Sequence, residues 1–456
     1  MFSDKKILVC ALVFIFVFEI SIAGKAFSGS LLDSASNGNE ASVATNVEDI
    51  CPKLAAEGGF GLTGNRGDLF DRCNGAIRTS NPGFGDDPVG ASIALDQIAA
   101  EEMTAQESVV EGVVQRQTKN IAARVSVLGK RVGSTSLANA GEQDPDKRIM
   151  YASNDTKVAT DGSSVTVENT LGWGAFLTTS YNFGDRDETD REAGYDFDDI
   201  SATVGVDYFF LDTLVAGLAV GYGMTDIDFD DNGGKMDADT YSIGLYSIWS
   251  PTAELGLSGY MNYGSVSYDS ERNQVYTDFN GAVDRTAKGS TDAYQFEATG
   301  TVWYNMSSGP WSFGPNGWLS YFYTDIDGFN ESGAQGLNLK YDDQDSDSLQ
   351  TGLGGDVSYT VSTSGGIVLL YSRAHWIHEY KNDSRSISMR YLEDDFDDSP
   401  AIKVKTDNPD RDWAQLGVGG SFVFPGGISA FADFQTVLFK DDVESQTVSA
   451  GLRIEF

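Results

Sequence analysis

The last nine residues of the chain, 448–456, alternate apolar and polar side chains without a break. In a β-strand this alternation turns alternate side chains to opposite faces. One face would carry Val448, Ala450, Leu452, Ile454 and Phe456. A strand whose face stays apolar up to the final residue is typical of a transmembrane β-barrel, because one face meets lipid and the other a wet lumen.

The same period-two pattern recurs throughout the C-terminal part of the chain. It predicts twelve strands, at residues 172–183, 199–210, 214–226, 240–249, 254–266, 293–305, 318–324, 348–360, 367–378, 413–424, 428–439 and 446–456. In the second and third of these segments the face opposite the apolar one is small or polar, which leaves room inside a barrel. We therefore predict an all-β protein with a 12-stranded antiparallel transmembrane β-barrel.

Short and long connections alternate between the predicted strands. The short ones are residues 211–213, 250–253, 361–366 and 425–427, and the long ones are residues 184–198, 227–239, 267–292, 325–347 and 379–412. In an up-and-down barrel the tight turns lie at the periplasmic rim and the long loops outside. Two links depart from this rule, because residues 306–317 are longer and residues 440–445 shorter than it expects.

The N-terminus has the features of a secretory signal. Lys5 and Lys6 precede an apolar run at residues 7–18, and Ser21 and Ala23 supply the small residues of a cleavage site. Such a run is too short to span a membrane stably. We therefore predict a signal peptide at residues 1–23, and export from the cytoplasm.

Cysteine usage is consistent with export. Cys10 lies within the predicted signal, so the mature chain keeps Cys51 and Cys73. An even number of cysteines in an oxidising compartment favours a disulfide, and the alternative is two unpaired thiols.

The region before the barrel is predicted to be small and partly helical. Apolar residues recur at helical spacing over residues 88–132, where Asp86 or Asp87 could cap the first turn and Pro88 suits it. The predicted organisation is a signal at 1–23, a small region at 24–87, a helical segment at 88–132, a linker at 133–170 and the barrel at 171–456.

Composition and charge narrow the function. The chain has 51 Gly, 26 Phe and 20 Tyr but only 10 Pro, which favours a large β structure with aromatic girdles. Residues 24–170 hold 13 basic and 20 acidic side chains, a net charge of −7, and residues 171–456 hold 16 and 46, a net charge of −30. So negative a chain repels nucleic acid, which we exclude as a partner.

No arrangement of residues indicates catalysis, a cofactor or a metal. The chain has two histidines, His375 and His378, and contains no HExxH or GxSxG motif. Residues 226–237 have four aspartates at calcium-loop spacing, yet Asp231 replaces the glycine and Asp237 the glutamate that an EF-hand requires. We expect a protein that is not an enzyme and has no cofactor.

The last 80 or so residues carry a series of motifs. They are the run at 375–380 that includes His378, Glu379 and Tyr380, the run at 416–419 with Gly417 and Gly419, the run at 426–430 and the closing run at 450–456. In this order and spacing the series resembles the translocator domain of autotransporters, the type V secretion family. The resemblance covers about 285 residues and implies a 12-stranded barrel that helps an N-terminal passenger cross the outer membrane.

The resemblance also implies partners. The apolar face from Val448 to Phe456 would be the signal that the barrel assembly machinery recognises, after periplasmic chaperones have carried the chain. The N-terminal part departs from the family pattern, because only about 147 residues lie between signal and barrel and they contain no evident repeat. In the family a helix plugs the barrel. Here the helix at 88–132 is either that plug or a hairpin packed against the Cys51–Cys73 loop.

Two functions follow from these observations. The first is an autotransporter-type barrel in the outer membrane of a Gram-negative bacterium that exports or displays its short N-terminal segment. The second is a stand-alone barrel, an adhesin or solute pore with a periplasmic N-terminal domain, whose outward loops bind a host or matrix ligand. In either function we expect a monomeric barrel surrounded by outer-membrane lipid and lipopolysaccharide.

Overall fold

The structure, a computed structural model, describes residues 30–106 and 172–456. The first range, here called the helical domain, contains α1 (Gly38–Glu57), α2 (Gly64–Ser80) and α3 (Pro88–Ala99). None of these helices is long and apolar enough to span a membrane. The predicted signal at 1–23, the linker at 133–170 and the proposed plug beyond residue 106 lie outside the described residues.

Local sequence explains where the helices begin and end. The Asn37 side chain caps α1 by accepting hydrogen bonds from the backbone N–H groups of Asn39 and Glu40. The Asp87 side chain caps α3 by accepting from the Gly90 N–H group, and Pro88 occupies the first turn, as predicted. The helix ends at Ala100, whose backbone adopts the left-handed conformation with φ +57°.

The second range folds into sixteen strands. Twelve form the barrel: β1 (Trp173–Arg186), β2 (Tyr195–Leu211), β3 (Leu214–Phe229), β4 (Gly234–Trp249), β5 (Leu255–Asp278), β6 (Gly281–Tyr304), β8 (Trp311–Ile326), β10 (Gln344–Thr363), β11 (Gly366–Glu379), β14 (Asp412–Val423), β15 (Ile428–Leu438) and β16 (Val443–Glu455). The others are β7 (Met306–Ser308), β9 (Leu339–Tyr341), β12 (Ser386–Tyr391) and β13 (Ile402–Lys405).

The barrel is closed and antiparallel throughout, as predicted. The first strand, β1, pairs with the last, β16, and this pairing closes the barrel. Strand β8 pairs with β10 along its length, and the short strand β7 forms a hairpin with the start of β8. Two backbone hydrogen bonds of 2.9 and 3.0 Å join Trp173 to Phe456 at one end of the barrel. We call this end the terminal end, since the barrel chain both begins and finishes there.

The opposite end, here called the loop end, holds residues 187–194, 230–233, 267–292, 327–343 and 380–411. It contains a second sheet, in which β12 lies between β9 and β13. Residues 267–292 were predicted as a loop, and this prediction is wrong, because β5 and β6 continue as a hairpin that turns only at Phe279 and Asn280. The predicted loop at 227–239 is likewise mostly strand.

Candidate functional site: the helical domain on the loop end

The helical domain packs on the loop end of the barrel, away from Trp173 and Phe456. Its helices contact β5, β13 and the loop around Gly336. The last described residue of the domain, Gln106, also contacts the loop end, because its carbonyl accepts a hydrogen bond of 3.1 Å from the Tyr268 hydroxyl. We call the helical domain and the loop end together the head.

One apolar core runs through the whole head. In the described part of the chain a single large cluster of buried residues contains side chains of all three helices and of the loop end. The helical domain contributes Leu31, Val43, Val47, Ile50, Leu54, Leu69, Phe70, Leu95, Ile98 and Met103. The loop end contributes Tyr268, Tyr276, Phe329, Leu337, Leu339, Tyr341, Ile387, Met389, Tyr391, Ile402 and Val404. The two parts therefore bury apolar surface against each other.

Helix α1 covers the free edge of β13. The backbone N–H of Lys403 donates to the Ser42 hydroxyl at 2.7 Å, and that of Lys405 donates to Asn39 Oδ1 at 2.8 Å. One turn further, Asn46 Nδ2 donates to the carbonyl of Pro400 at 2.6 Å. Positions 39, 42 and 46 share one face of the helix, so this face satisfies backbone groups that an edge strand leaves unpaired.

Helices α2 and α3 cover the free edge of the β5–β6 hairpin. The backbone N–H of Val275 donates to Gln97 Oε1 at 3.1 Å, and that of Phe279 donates to the Thr79 hydroxyl at 2.7 Å. Side-chain oxygens of the helical domain thus take the place of a neighbouring strand at two separate edges of the loop end.

Two ion pairs join α2 to the hairpin. Arg285 donates to both carboxylate oxygens of Asp68, at 2.6 and 2.7 Å. Arg72 donates to Asp278, whose side chain is fully buried, at 2.9 Å. Burial raises the pKa of Asp68, but the Arg285 bond and the Gly336 N–H more than reverse this and hold it below its ordinary value.

Two further basic residues of the helical domain, Lys53 and Arg66, also face the loop end. Lys53 pairs with Asp398 at 2.8 Å, and Arg66 donates to the carbonyl of Glu393 at 2.5 Å. Both cations lie over the ring of Phe396, at 5.5 and 5.1 Å from its centroid.

Arg78 completes this set of basic residues. Its guanidinium lies 4.5 Å from the ring of Phe84 and 4.1 Å from that of Phe279 on the hairpin turn. All four basic side chains of residues 30–106 therefore contact residues of the loop end.

A buried ion pair lies at the centre of the head. Arg272 on β5 donates to both oxygens of Glu331, at 3.0 and 2.7 Å, and the two side chains are 1% and 2% exposed. Arg272 also donates to the carbonyl of Gln97 at 2.9 Å, and the Tyr341 hydroxyl donates to Glu331 at 3.0 Å. Although burial lowers the pKa of Arg272, the carboxylate of Glu331 raises it above its ordinary value.

Two carboxyl groups at the end of α3 are buried beside this pair. Burial raises the pKa of Glu101 to about 8, against the hydrogen bond from Asn39 Nδ2 at 2.9 Å. Burial also raises the pKa of Glu102 to about 7, against the attraction of Arg272. Both groups therefore take up protons near neutral pH when the head is folded.

The predicted disulfide is confirmed. Cys51 on α1 and Cys73 on α2 are bonded, their Cα atoms are 5.8 Å apart, and both residues are buried. The bond holds together the two helices that carry most of the contacts to the loop end.

The predicted assembly signal lies on the outer face of β16. Val448, Leu452, Ile454 and Phe456 are 46–72% exposed, and the alternate residue Arg453 is buried on the lumen side. Ala450 is exposed on the same outer face. The face predicted from the alternation is therefore observed, and recognition by the assembly machinery stays a prediction.

The two histidines lie on opposite faces of β11. His375 faces the lumen, where its Nε2 atom is 2.5 Å from Asn316 Oδ1. On the outer face, the His378 ring lies 5.7 Å from the ring of Trp376 and 4.7 Å from that of Tyr380. The histidines therefore do not form one site.

The motif residues Glu379, Gly417 and Gly419 stabilise the packing of neighbouring strands in the barrel wall. Buried Glu379 accepts hydrogen bonds from the Ser348 hydroxyl at 2.6 Å and the Leu349 N–H at 3.0 Å, which ties β11 to β10. A Cβ atom on Gly417 would lie 2.7 Å from the Arg373 side chain, and one on Gly419 would lie 2.5 Å from the Tyr371 hydroxyl. These glycines give room to larger side chains of the neighbouring strand.

Of the aspartates at calcium-loop spacing, Asp226 and Asp237 are cross-strand partners, and the other two do not join them in a metal site. Asp226 and Asp228 lie on β3, Asp230 in the turn and Asp237 on β4. Within residues 30–106 and 172–456 no three His, Cys, Asp or Glu side chains are arranged to hold a metal ion.

Sequence reasoning missed the docking residues because it did not predict α1 and α2. A signal was present in the polar positions 39, 42, 46 and 53 and in positions 68, 72 and 79, which repeat at intervals of three, four or seven residues. This spacing is typical of one helix face.

Comparison with known proteins agrees with this architecture. The model of the autotransporter beta-domain matches residues 175–435, which is more than half of the chain. The translocator domain of the autotransporter NalP from Neisseria meningitidis has the same fold, with a TM-score of 0.51 at 16% identity over 63% of this chain and 90% of that chain.

Two curated relatives match over part of their length. Esterase EstA of Pseudomonas aeruginosa is 22% identical over 228 residues, which is 49% of this chain and 34% of EstA. Outer membrane protein B of Rickettsia prowazekii is 24% identical over 254 residues, which is 55% of this chain and 15% of that protein. The chain thus spans about a third or less of these relatives. With a family match over more than half its length and a closed barrel of twelve strands, the chain belongs to the autotransporter family of outer-membrane proteins.

Proposed function

We propose that this outer-membrane barrel displays its helical domain on the outside of the cell. The observation that supports this proposal is the docking of residues 30–106 on the loop end, opposite the terminal end. Outer-membrane barrels keep short turns in the periplasm and their longer connections outside, and an even strand number leaves both barrel termini in the periplasm. In this orientation the loop end, with its helical domain, faces the medium.

The course of the chain agrees with passage across the membrane. Gln106 lies at the loop end and Gly172 next to the terminal end, so the 65 residues between them connect the two ends of the barrel. With the proposed orientation, residues 30–106 have crossed the outer membrane and residues from 172 on form the barrel that let them through. If the N-terminal domain stayed in the periplasm, it would lie at the terminal end of the barrel.

The proposal includes the steps that bring the chain to the membrane. The signal at 1–23 directs export, periplasmic chaperones carry the chain, and the assembly machinery recognises the outer face of β16 that ends in Phe456. Because the exposed side chains of this face are apolar, they would pack on outer-membrane lipid once the barrel is inserted. The inserted barrel would be a monomer bordered by lipopolysaccharide, and its loop end would then be available to a host or matrix ligand.

We further propose that display needs no catalysis by this chain. The name of the relative EstA describes an esterase, and that activity is stated for EstA alone. This sequence has no GxSxG motif, and its two histidines lie on opposite faces of β11.

Single cysteines that react with a membrane-impermeant maleimide test the orientation. Val89 on α3 is 67% exposed, and Asp212 lies exposed in the turn between β2 and β3 at the terminal end. Because Cys51 and Cys73 are bonded to each other, they do not react. We expect Val89→Cys to be labelled on intact cells and Asp212→Cys only after permeabilisation.

Labelling of both variants only after permeabilisation would overturn display and support a periplasmic helical domain. Labelling of Asp212→Cys alone on intact cells would mean that the barrel has the opposite orientation. A folded barrel, checked by its migration on a gel before and after heating, is the control for each variant.

A further inference from the structure

We propose that the loop end is a folding template for the helical domain, so that the two form one cooperative unit and the domain stays on the cell. This inference rests on the proposed function, because it concerns what becomes of the domain once it is outside. Four features of the head support it, namely its core, its strand edges, its close contacts and its charges.

The apolar core is shared between the two parts. The helical domain spans only 77 described residues, and below about 80 residues a single core rarely supplies more than a small net stability. Its buried side chains pack in the same cluster as Leu337, Leu339, Ile402 and Val404 of the loop end. Separation would expose both halves of this cluster to water, so each half stabilises the other.

The edges of the loop end require the helical domain. Without α1 the N–H groups of Lys403 and Lys405 lose their acceptors, and without α2 and α3 those of Val275 and Phe279 lose theirs. Uncovered edges of this kind pair readily with other chains. Strand β13 has only four residues, with β12 along one edge and α1 along the other. The backbone groups of the second edge therefore depend on the helix.

Two glycines set the fit between the parts. A Cβ atom on Gly336 would lie 2.3 Å from the Leu69 nitrogen and 2.6 Å from the Asn65 carbonyl oxygen, both backbone atoms of α2. A Cβ atom on Gly75 would lie 2.5 Å from the carboxyl carbon of Asp278. The helix and the loop end therefore touch closely enough that a single methyl group on either side forces them apart.

Charge selects the face of the domain that docks. Its four basic side chains, which oppose twelve acidic ones in residues 30–106, all lie on the docked side, where they meet Asp278, Phe279, Asp395, Phe396 and Asp398. Docked by another face, the domain would turn exposed acidic side chains such as Asp33 and Asp86 toward the acidic loops, and like charges would repel.

These features have a consequence for export. Helices that complete their core only on the loop end are stabilised on the outside alone, so each docked helix opposes return of the chain. The same contacts would hold the finished domain at the barrel independently of the connecting chain.

Hydrogen exchange on the full-length protein in detergent micelles tests the cooperativity. The variant is Gly336→Ala, which clashes with α2, and its control is Gly300→Ala, because a Cβ on Gly300 meets nothing within 4 Å. The decisive amides are those of Lys403 and Lys405 at the α1 edge, which do not touch Gly336. We expect their exchange to become roughly ten-fold faster or more in Gly336→Ala and to stay unchanged in Gly300→Ala, with β14–β16 as an internal reference.

A reciprocal variant on the helix protects the test against simple misfolding. An alanine by itself favours a helix over glycine, so Gly75→Ala would slow exchange if the domain folded alone. Docking predicts the reverse, faster exchange at Lys403 and Lys405. The control is Gly38→Ala, also in a helix and with open space around it.

Normal protection at Lys403 and Lys405 in both variants, with changes confined to the substituted contacts, would overturn the template. Labelling of Val89→Cys on intact cells is scored separately. Display with independent folding would contradict this inference alone, whereas a protected Val89→Cys would contradict the proposed function.

Discussion

The barrel wall and the head bury opposite kinds of surface. In the wall, apolar side chains such as Leu218 and Val220 of β3 point outward and are 49% and 56% exposed, while small residues such as Gly221 point to the lumen. In the head the order is reversed, because Ile227 of the same strand is 2% exposed and Asp228 points outward. A strand therefore exchanges the roles of its two faces as it leaves the wall.

The exchange is most extensive on β5. Its outward side chains change from Met261 and Tyr263 to Asp269, and its inward ones from Asn262 to Tyr268 and Tyr276. The period of two is unbroken, so the backbone is one strand throughout. The physical reason is the surroundings, since lipid outside favours an apolar outer face whereas water outside favours an apolar inner one. The comparison predicts that the same kind of substitution has opposite effects in the two regions.

The largest effect is expected from the buried ion pair in the head. Glu331→Gln leaves the Arg272 charge buried without its partner, which typically costs about 3–5 kcal/mol. We expect the helical signal in circular dichroism to melt at a much lower temperature while the barrel keeps its heat-resistant migration on gels. The matched control is Glu271→Gln. Glu271 directly precedes Arg272 on β5 but faces outward, so this variant should leave the melting temperature unchanged. Equal effects of the two variants would contradict the reversal of faces on β5.

In the wall, the corresponding substitution is a charge on the outer face. Val220→Arg places a cation where lipid is expected, at a cost of about 2–4 kcal/mol near the bilayer midplane. The measurement is the fraction of protein that assembles into a folded barrel in cells. Asp228→Arg, on the same face of β3 but beyond the exchange point and opposite Asp196, should assemble normally. If neither variant assembles, the membrane boundary lies nearer the loop end than the exchange point on β3.

Removal of the disulfide separates the two regions chemically. Residues 172–456 contain no cysteine, so Cys51→Ser with Cys73→Ser acts on the helical domain alone. Loss of a bond of this kind typically costs about 2–4 kcal/mol. We expect faster proteolysis of the head on intact cells and unchanged heat resistance of the barrel. A reducing agent should reproduce the effect in the natural protein and add nothing in the double variant.

The smallest effect is expected from pH. The folded pKa values of Glu101, about 8, and Glu102, about 7, exceed the ordinary value of 4.5, so the folded head binds more protons than the unfolded chain. Its stability is therefore greatest below about pH 4.5 with respect to these groups and declines as the pH rises through 7 to 8. The carboxyl groups that surround them, Glu40, Asp96 and Glu331, act in the same direction, and Arg272 opposes them.

Melting of the helical signal between about pH 5 and pH 9 checks this slope. Glu101→Gln keeps an oxygen that can accept from Asn39 and has no charge to bury, so it should flatten the decline. A head that becomes more stable as the pH rises would show that these carboxyl groups are ionised when folded.

The alternation of apolar and polar residues determines most of the barrel. The outer face of β16 from Val448 to Phe456, the order of the twelve strands and the capping of α3 by Asp87 follow from side-chain period, turn residues and helix-start preferences. These are local rules, because a residue's choice between two faces of a strand depends only on its neighbours in sequence. The pairing of Cys51 with Cys73 followed from their number and from the signal peptide predicted before them.

Sequence alone did not reveal the head. The stretch from Ser267 to Asp292 was interpreted as a loop because its acidic outward positions matched a solvated segment, whereas the inward Tyr268, Tyr276 and Val283 become a core only when the helical domain covers them. Likewise, Asn39 and Thr79 are ordinary polar residues until α1 and α2 bring them to strand edges more than 190 positions away. The sequence by itself determined the twelve segments of the barrel wall and the apolar face of each, while only the tertiary structure decided how far the strands continue into the head and what meets each face, because burial depends on contacts between residues far apart in the chain.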